Sequence, residues 1–179
     1  MENFRAKRKE YILVDGYNII HAWKELQTLA LGSLDDARCK LIDMLSDFGG
    51  SQGVDIIIVF DAHMVKENTE TVEKHHNITV VYTKEGETAD HYIEKFVRSL
   101  AKEGRVRVAT SDHLQQAIVM GRGAYRIGAQ EFLCEVRLAK NKLRDQYINN
   151  KPIKKNLLID NLDPQTAEIL EKMRHDPRL

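Results

Sequence analysis

The sequence predicts an α/β fold in which a mostly parallel sheet has helices on both faces. Short apolar runs typical of buried strands alternate with longer stretches whose apolar residues recur at helical spacing. Strands that alternate with helices form βαβ units, and these units place their strands side by side in one parallel sheet. The composition agrees, because 42% apolar and 30% charged residues are typical of a globular protein.

Each element is predicted from its own residues. YILVD at 11–15 and IIIVF at 56–60 are apolar runs of strand length, and three further β-rich runs follow. The expected strands are residues 11–15, 56–60, 78–83, 105–110 and 124–128. Helical spacing, with Ser33 and Thr88 as N-caps, predicts helices at about 18–30, 34–48, 88–102, 113–121 and 129–148. Residues 61–76 lack a clear period and are expected to form a surface loop.

One main domain is expected, with a short segment on either side of it. Residues 1–9 form a basic N-terminal segment, residues 10–148 the domain, and residues 149–179 a C-terminal extension. Asp163 and Pro164 in that extension are typical of an N-cap followed by the first residue of a helix. A short final helix is therefore expected over about 164–175.

Charge and cysteine content bear on the class of protein. The net charge is zero, so overall charge does not indicate a nucleic-acid or membrane partner. No apolar run approaches the roughly 20 residues that cross a membrane, and we expect a cytoplasmic protein. Cys39 and Cys134 form no CxxC pair, so neither a zinc site nor a disulfide framework is expected. Both cysteines are expected to be buried structural thiols on helices.

Four aspartates occupy positions that a parallel sheet would bring together. Asp15, Asp61 and Asp112 come where apolar strands stop, and Asp90 lies at the expected start of a helix. The C-terminal ends of parallel strands converge on one crevice, where ligands bind. Carboxylates gathered there repel one another unless a cation neutralises them, and Mg²⁺ prefers such oxygen ligands. The pattern predicts a metal site for chemistry on phosphate.

Each of these acids also has a simpler interpretation. An aspartate after a strand can cap the next helix, and the helix dipole favours an acid in a first turn. The metal hypothesis gains weight because all four would lie at the same end of four elements. Glu87 precedes Asp90 by three residues, so on a helix both would face the same way. Asn18 could hydrogen-bond Asp15, a ligand water or a phosphate.

Four motifs surround these residues: VDGYNII (14–20), VFDAH (59–63), YTKEGETADHYI (82–93) and VATSDHLQQ (108–116). In this order they resemble the YacP-like branch of NYN domains, within the PIN-like nuclease superfamily. The resemblance covers about residues 10–148. It implies a PIN-like three-layer α/β/α sandwich with a mostly parallel sheet ordered 3-2-1-4-5.

The resemblance also implies an activity. It implies an endoribonuclease dependent on Mg²⁺ or Mn²⁺, whose metal-binding and catalytic residues are Asp15, Asp61, Asp90 and Asp112. Asn18 and Glu87 are implied as supporting catalytic residues. The family is similar to a bacterial endoribonuclease that acts on mRNA in association with translating ribosomes. RNA and the ribosome are therefore the expected partners.

Basic and aromatic residues suggest where RNA could bind. A stretch from Arg137 to Lys155 has seven basic residues and one acid, and it could neutralise phosphates or be a solvated helix face and linker. The basic residues are Arg137, Lys140, Lys142, Arg144, Lys151, Lys154 and Lys155. Tyr17 and Tyr82 could stack bases near the crevice, whereas Trp23 is expected in the core. His63 is expected to be a polar loop residue.

Two other functions are compatible with the same fold. One is a non-catalytic RNA- or ribosome-binding module on a PIN-like fold, although the complete acidic set favours an enzyme. The other is a phosphatase-like hydrolase, which would be expected to have a DxD motif after the first strand. The sequence there is DGYN, from Asp15 to Asn18.

Overall fold

The computed structural model describes residues 9–61, 70–75, 77–112, 120–121 and 123–149. The chain divides into two compact units, Met1–Leu143 and Arg144–Leu179. Several predicted features lie outside the described residues. They are most of the basic N-terminal segment, His63, most of the helix expected at 113–121, the final helix, and the three lysines Lys151, Lys154 and Lys155.

A six-stranded sheet forms the centre of the first unit, in the order β3-β4-β2-β1-β5-β6. The five strands β1, β2, β4, β5 and β6 are parallel, and β3 pairs antiparallel with β4 at one edge. The strands are β1 Lys9–Asp15, β2 Asp55–Phe60, β3 Thr71–His75, β4 Ile78–Tyr82, β5 Gly104–Ala109 and β6 Tyr125–Ile127.

Five helices are described with this sheet. They are α1 Gly16–Ala22, α2 Lys24–Gly32, α3 Leu34–Gln52, α4 Ala89–Leu100 and α5 Ala129–Asn149. None of the helices in the described ranges is both long enough and apolar enough to cross a membrane.

Alternating side chains of β1 divide the core into two layers. Ile12 and Val14 belong to an apolar cluster with α1, α2, α3 and α5, whereas Tyr11 and Leu13 belong to a second cluster with α4. This alternation follows from the strand period of two, because successive side chains point to opposite faces of a sheet. The layers confirm the predicted α/β/α sandwich with its mostly parallel sheet.

Trp23 fastens α5 to the first layer of the core. Its side chain is buried, its indole Nε1 donates a hydrogen bond to the backbone oxygen of Ala129 at 2.8 Å, and its ring lies against Phe132. The expected core position of Trp23 is confirmed. The same residue divides the helix predicted at 18–30 in two, because its backbone is extended between α1 and α2.

Helix ends agree with the predicted caps. The Ser33 hydroxyl accepts from the backbone N–H of Asp36 at 3.1 Å, and the Thr88 hydroxyl accepts from that of His91 at 3.3 Å. These bonds satisfy N–H groups that have no partner within the helix. Gly53 ends α3 with φ of 66°, a left-handed conformation that glycine adopts without a steric penalty.

Two predictions about the fold are wrong. Strand β3 lies inside the segment predicted as a surface loop, and it adds one edge strand to the predicted order of five. Most of its side chains are exposed, so its sequence TVEKH has no apolar alternation to indicate a strand. Cys39 and Cys134 are exposed rather than buried, because each occupies the solvent side of its helix.

A matched pair of leucines tests the assignment of the core. Leu41 on α3 is fully buried, whereas Leu31 on α2 is 87% exposed. Leu41→Ala should lower the free energy of unfolding by about 2–5 kcal/mol, because it removes buried methyl groups and leaves a cavity. Leu31→Ala should change it by less than about 0.5 kcal/mol. Urea unfolding followed by circular dichroism measures both, and equal losses would contradict the assignment.

Candidate active site

The register of the parallel strands places three acidic residues at one edge of the sheet. Asp15 pairs with Val59 of β2, and its neighbour Val14 pairs with Ala109 of β5. Asp61 is two residues after Val59, so it lies just beyond the end of β2 near Asp15. Asp112 is three residues after Ala109, so it lies just beyond the end of β5.

Asp15 both ends β1 and caps α1. Its Oδ1 accepts a hydrogen bond from the backbone N–H of Asn18 at 3.1 Å. Gly16 makes the abrupt change from strand to helix possible, because a Cβ at this position would overlap the ring of Phe60. The cap interpretation of Asp15 is thus correct, and the same carboxyl group also interacts electrostatically with Asp90, Asp61 and Asp112.

Asp90 reaches this site from the first turn of α4. Thr88 is the N-cap, so capping does not require the Asp90 carboxylate. The side chains of Asp15 and Asp90 lie within hydrogen-bonding reach of each other. The positive end of the helix dipole also favours an anion here.

These residues line an open pocket of about 410 Å³. Its described lining consists of Asp15, Tyr17, Asn18, His21, Asp61, Thr88, Ala89 and Asp90. The structure therefore brings together Asp15, Asn18, Asp61 and Asp90, four of the six residues predicted as catalytic. We call this space the acidic pocket.

Burial and repulsion by neighbouring acids raise the pKa of the Asp15 carboxyl group. Burial raises its pKa, and the negative charges of Asp90, Asp61 and Asp112 raise it further, to about 6 from 3.8, although the Asn18 N–H opposes the rise. The pKa of Asp90 is also raised, by burial first and then by Asp112 and Glu94. Asp112 thus acts electrostatically on both carboxyl groups without lining the pocket.

Asn18 connects α1 to the segment that follows β5. Its Oδ1 accepts from the backbone N–H of Ser111 at 2.8 Å and also from the Ser111 hydroxyl. Beside it, the buried Thr110 Oγ1 accepts from the backbone N–H of Asp112 at 3.1 Å. These bonds fix the backbone around Asp112, so Asn18 organises the site through its amide oxygen.

Glu87 lies just before α4, since the helix begins at Ala89 with Thr88 as its N-cap. The i, i+3 spacing on one helix face therefore does not apply to Glu87 and Asp90. Glu87 lies near Tyr92. Burial raises the pKa of Tyr92 to about 12, with smaller contributions from Glu70 and Glu87. A catalytic role for Glu87 stays a prediction.

Glu94 is an acidic residue that the sequence analysis missed. It follows Asp90 by four residues on α4, and its charge raises the pKa of Asp90 after burial and Asp112. Residues four apart share one face of a helix, so this spacing could have identified Glu94 once the helix was placed.

The donor set suits a hydrated Mg²⁺ ion. In the part of the chain that the structure describes, no group of three or more His, Cys, Asp or Glu side chains is arranged to enclose a metal. Mg²⁺ keeps several waters, however, and takes only one or two carboxylates directly. Asp15 and Asp90 meet that requirement with their adjacent carboxyl groups, and the remaining acids could act through water.

Three predicted RNA-binding residues of α5, Arg137, Lys140 and Lys142, line pockets other than the acidic pocket. Arg137 and Lys140 are exposed and line a separate pocket with acidic residues of α2 and α3. Lys142 lines another pocket with Glu10 and Val54, at the end of the strands opposite Asp15. Glu10 lies five positions before Asp15 on β1, which is roughly 16 Å at the rise of a strand. Arg144 is exposed on the same helix.

Comparison with known proteins gives the family. The model of the YacP-like NYN domain matches residues 12–175, which is most of the chain. The chain belongs to the YacP-like NYN domain family. The match continues beyond residue 148, so it includes most of the predicted C-terminal extension at 149–179.

A curated relative and two solved structures agree with this assignment. The uncharacterized protein YacP of Bacillus subtilis is 40% identical over 135 residues, which are 75% of this chain and 79% of the relative. The crystal structure of Rae1 (YacP) from B. subtilis matches with a TM-score of 0.68 at 35% identity, over 93% of this chain and 95% of that one. A mutant of the same protein matches with a TM-score of 0.68 at 32% identity, over 91% and 98% of the two chains.

Membership in the YacP-like NYN family implies a nuclease-type function related to RNA. The resemblance stated from the four sequence motifs is therefore confirmed, and so is the PIN-like fold class.

The raised pKa of Asp15 predicts how stability depends on pH. The folded state holds the Asp15 proton more tightly than the unfolded state, so this contribution to stability is complete below pH 4 and is lost as the pH rises from about 4 to about 6. Asn is a cap of similar strength but has no charge. In metal-free buffer Asp15→Asn should therefore gain about 3 kcal/mol of stability at pH 7.5 and nothing at pH 3.5.

Urea unfolding in EDTA at a series of pH values measures this difference. Asp47→Asn, an exposed aspartate on α3, is the matched control and should stay within about 0.5 kcal/mol of the wild type at each pH. A constant difference between Asp15→Asn and the wild type from pH 3.5 to 7.5 would contradict the assigned environment of Asp15.

Proposed function

We propose that this YacP-like NYN protein is a metal-dependent endoribonuclease that cleaves mRNA in association with translating ribosomes. The observation that supports it most is the buried carboxyl group of Asp15, with its pKa raised to about 6 among Asp90, Asp61 and Asp112. A fold keeps four mutually repelling acids at one sheet edge at a cost in stability, and a bound cation would remove that cost. The family supports chemistry on RNA.

In this proposal Asp15, Asp61, Asp90 and Asp112 bind Mg²⁺ or Mn²⁺ and are the catalytic residues, with Asn18 and Glu87 in support. When bound, the ion would supply positive charge that lowers the pKa of water and stabilises negative charge on the phosphodiester. Asp15 and Asp90 would hold it directly, because their carboxyl groups are adjacent.

The chain's own residues hold these acids in place before RNA arrives. The Asn18 N–H fixes one oxygen of Asp15, and the Asn18 amide oxygen fixes the backbone of Ser111 beside Asp112. Thr88 takes the capping position of α4 and leaves the Asp90 carboxylate to the pocket. Above about pH 6 the Asp15 carboxyl group is ionised, so the anionic ligand set is complete at neutral pH.

RNA would be held partly by the basic stretch from Arg137 to Lys155. Arg137, Lys140 and Lys142 line pockets other than the acidic pocket, and Lys142 lies at the opposite end of the strands, so these three would bind backbone phosphates distant from the cleavage point. The ribosome enters the proposal through the family resemblance, and a protein with no net charge would benefit from a partner that brings it to mRNA. Both partners would place the protein in the cytoplasm.

Cleavage of one mRNA, tested free and in a translating extract, examines this proposal. Wild-type protein with Mg²⁺ or Mn²⁺ should cleave at discrete positions, and faster in the translating extract. Asp15→Asn and Asp90→Asn should each reduce cleavage by at least about 10²-fold, because each removes a negative ligand from the site. Primer extension of the products measures the sites and rates.

Asp47→Asn controls for the loss of a carboxylate elsewhere and should cleave like the wild type. Circular dichroism and urea unfolding establish that the two site variants are folded. Wild-type rates in both folded site variants would refute the site. Binding of RNA or ribosomes without cleavage by the wild type under either condition would favour the non-catalytic binding module.

A further inference from the structure

A cluster of one arginine and three aromatic residues adjoins the acidic pocket. It consists of Tyr17, Arg38, Phe60 and Tyr82, and we call it the Tyr17–Arg38 cluster. Tyr17 lies two residues after Asp15 and lines the acidic pocket. The others come from α3 and from the ends of β2 and β4. The cluster is thus at the same sheet edge as the acids.

The Tyr17 ring is held from two sides. It packs against Phe60 with ring centroids 5.0 Å apart, and its hydroxyl accepts a hydrogen bond from Nη1 of Arg38 at 2.8 Å. Phe60 in turn stacks on Tyr82 at 5.6 Å with an angle of 21° between the rings. A ring fixed in this way loses little entropy when a planar ligand stacks on it.

Arg38 is itself committed to neighbours within the protein. Its side chain is 13% exposed, it forms an ion pair with Asp35, and its guanidinium lies 5.9 Å from the centre of the Tyr82 ring. Its charge is partly neutralised by Asp35, so it is poorly suited to bind a phosphate on its own. Arg38 does not line the acidic pocket but binds the hydroxyl of Tyr17, which does.

An uncharged contact surface beside the acidic pocket would strengthen RNA binding. Carboxylates that a bound ion does not neutralise repel the phosphates on either side of the cleavage point, so contacts without charge add affinity there. Stacking of a base on an aromatic ring is such a contact, and it accepts any base because every base has a π face.

We propose that Tyr17 is the stacking platform for the base next to the scissile phosphate of single-stranded RNA, and that Arg38 is the positioning residue that holds the Tyr17 ring. This rests on the proposed ribonuclease function and adds the class of substrate and the site of one base. It predicts that an unpaired nucleotide is required beside the cleavage point, since a paired base cannot reach the ring.

Removing the base and removing the ring should have the same effect. An oligoribonucleotide with one cleavage site is prepared with an abasic residue at each position around it in turn. In the wild type, one abasic position beside the scissile bond should lower kcat/KM about tenfold, the size expected for one stacked base. In Tyr17→Leu the same abasic residue should lower it less than about twofold, because the platform is already gone.

Arg38 is tested through the same cycle. In the wild-type background, Arg38→Met should reduce the loss of kcat/KM that the abasic residue causes. In the Tyr17→Phe background, which lacks the hydroxyl that Arg38 contacts, Arg38→Met should leave that loss unchanged. A purely structural role of Arg38 would instead lower kcat/KM equally with and without the base. Should Tyr17→Leu fail to fold, the Arg38→Met and Tyr17→Phe cycle tests the proposal without it.

Tyr125 and Arg105 provide a matched control. Arg105, near the start of β5 beside Glu10, lies 4.9 Å from the centre of the ring of Tyr125, the first residue of β6. Neither residue lines the acidic pocket. Tyr125→Leu and Arg105→Met should keep the full tenfold abasic effect. This control separates a platform at the pocket from a general contribution of aromatic and basic residues to RNA binding.

The outcomes separate this inference from the proposed function. If the wild type cleaves but Tyr17→Leu keeps the tenfold abasic effect, the platform is refuted and the ribonuclease stands. If the wild type does not cleave, the ribonuclease function is refuted, and equilibrium binding of the same oligonucleotides is measured instead. A loss of affinity on removing the base in the wild type but not in Tyr17→Leu would then support the platform alone. Equal affinity with and without the base in the wild type would refute the platform as well.

Discussion

The parallel pairing of β1 with β2 on one side and β5 on the other is the constraint on which the site depends. It fixes the level of Asp15 against Val59, and that of Val14 against Ala109, so that Asp61 and Asp112 follow just beyond the same edge. Helix α4 then needs only to start at this edge for Asp90 to join them. The hydrogen bonds of the sheet thus set the levels of Asp15, Asp61 and Asp112, and the bond from Ser111 to Asn18 fixes the segment that carries Asp112.

The same arrangement explains why a residue can serve local structure and function together. Asp15 caps α1 through one oxygen, and burial together with three other acids raises its pKa to about 6. The apolar clusters on both faces of the sheet offset the cost of keeping that charge at neutral pH. A capping interaction and a functional site are therefore not competing explanations of this aspartate.

Much of this could be predicted from sequence because apolar runs and caps are local properties. The strands β1, β2 and β4 and the caps Ser33 and Thr88 follow from residues near one another in the chain. The acidic edge follows once those strands are taken as parallel, because their C-terminal ends then converge. Strand β3 could not be predicted in this way, since its exposed residues become a strand only by pairing with β4. The same holds for Arg38, which meets Tyr17 only through the packing of α3. The basic charge of α5 is visible in sequence, but the end of the sheet that it reaches is not.

We propose that the acidic edge binds a divalent cation through Asp15. Electron paramagnetic resonance of Mn²⁺ titrated with protein at pH 7.5 tests it directly, without RNA and without turnover. The wild type should remove the signal of free Mn²⁺ at a defined stoichiometry, Mg²⁺ should compete, and Asp15→Asn should bind Mn²⁺ at least about tenfold more weakly. Equal Mn²⁺ binding by the wild type and by Asp15→Asn would contradict the account.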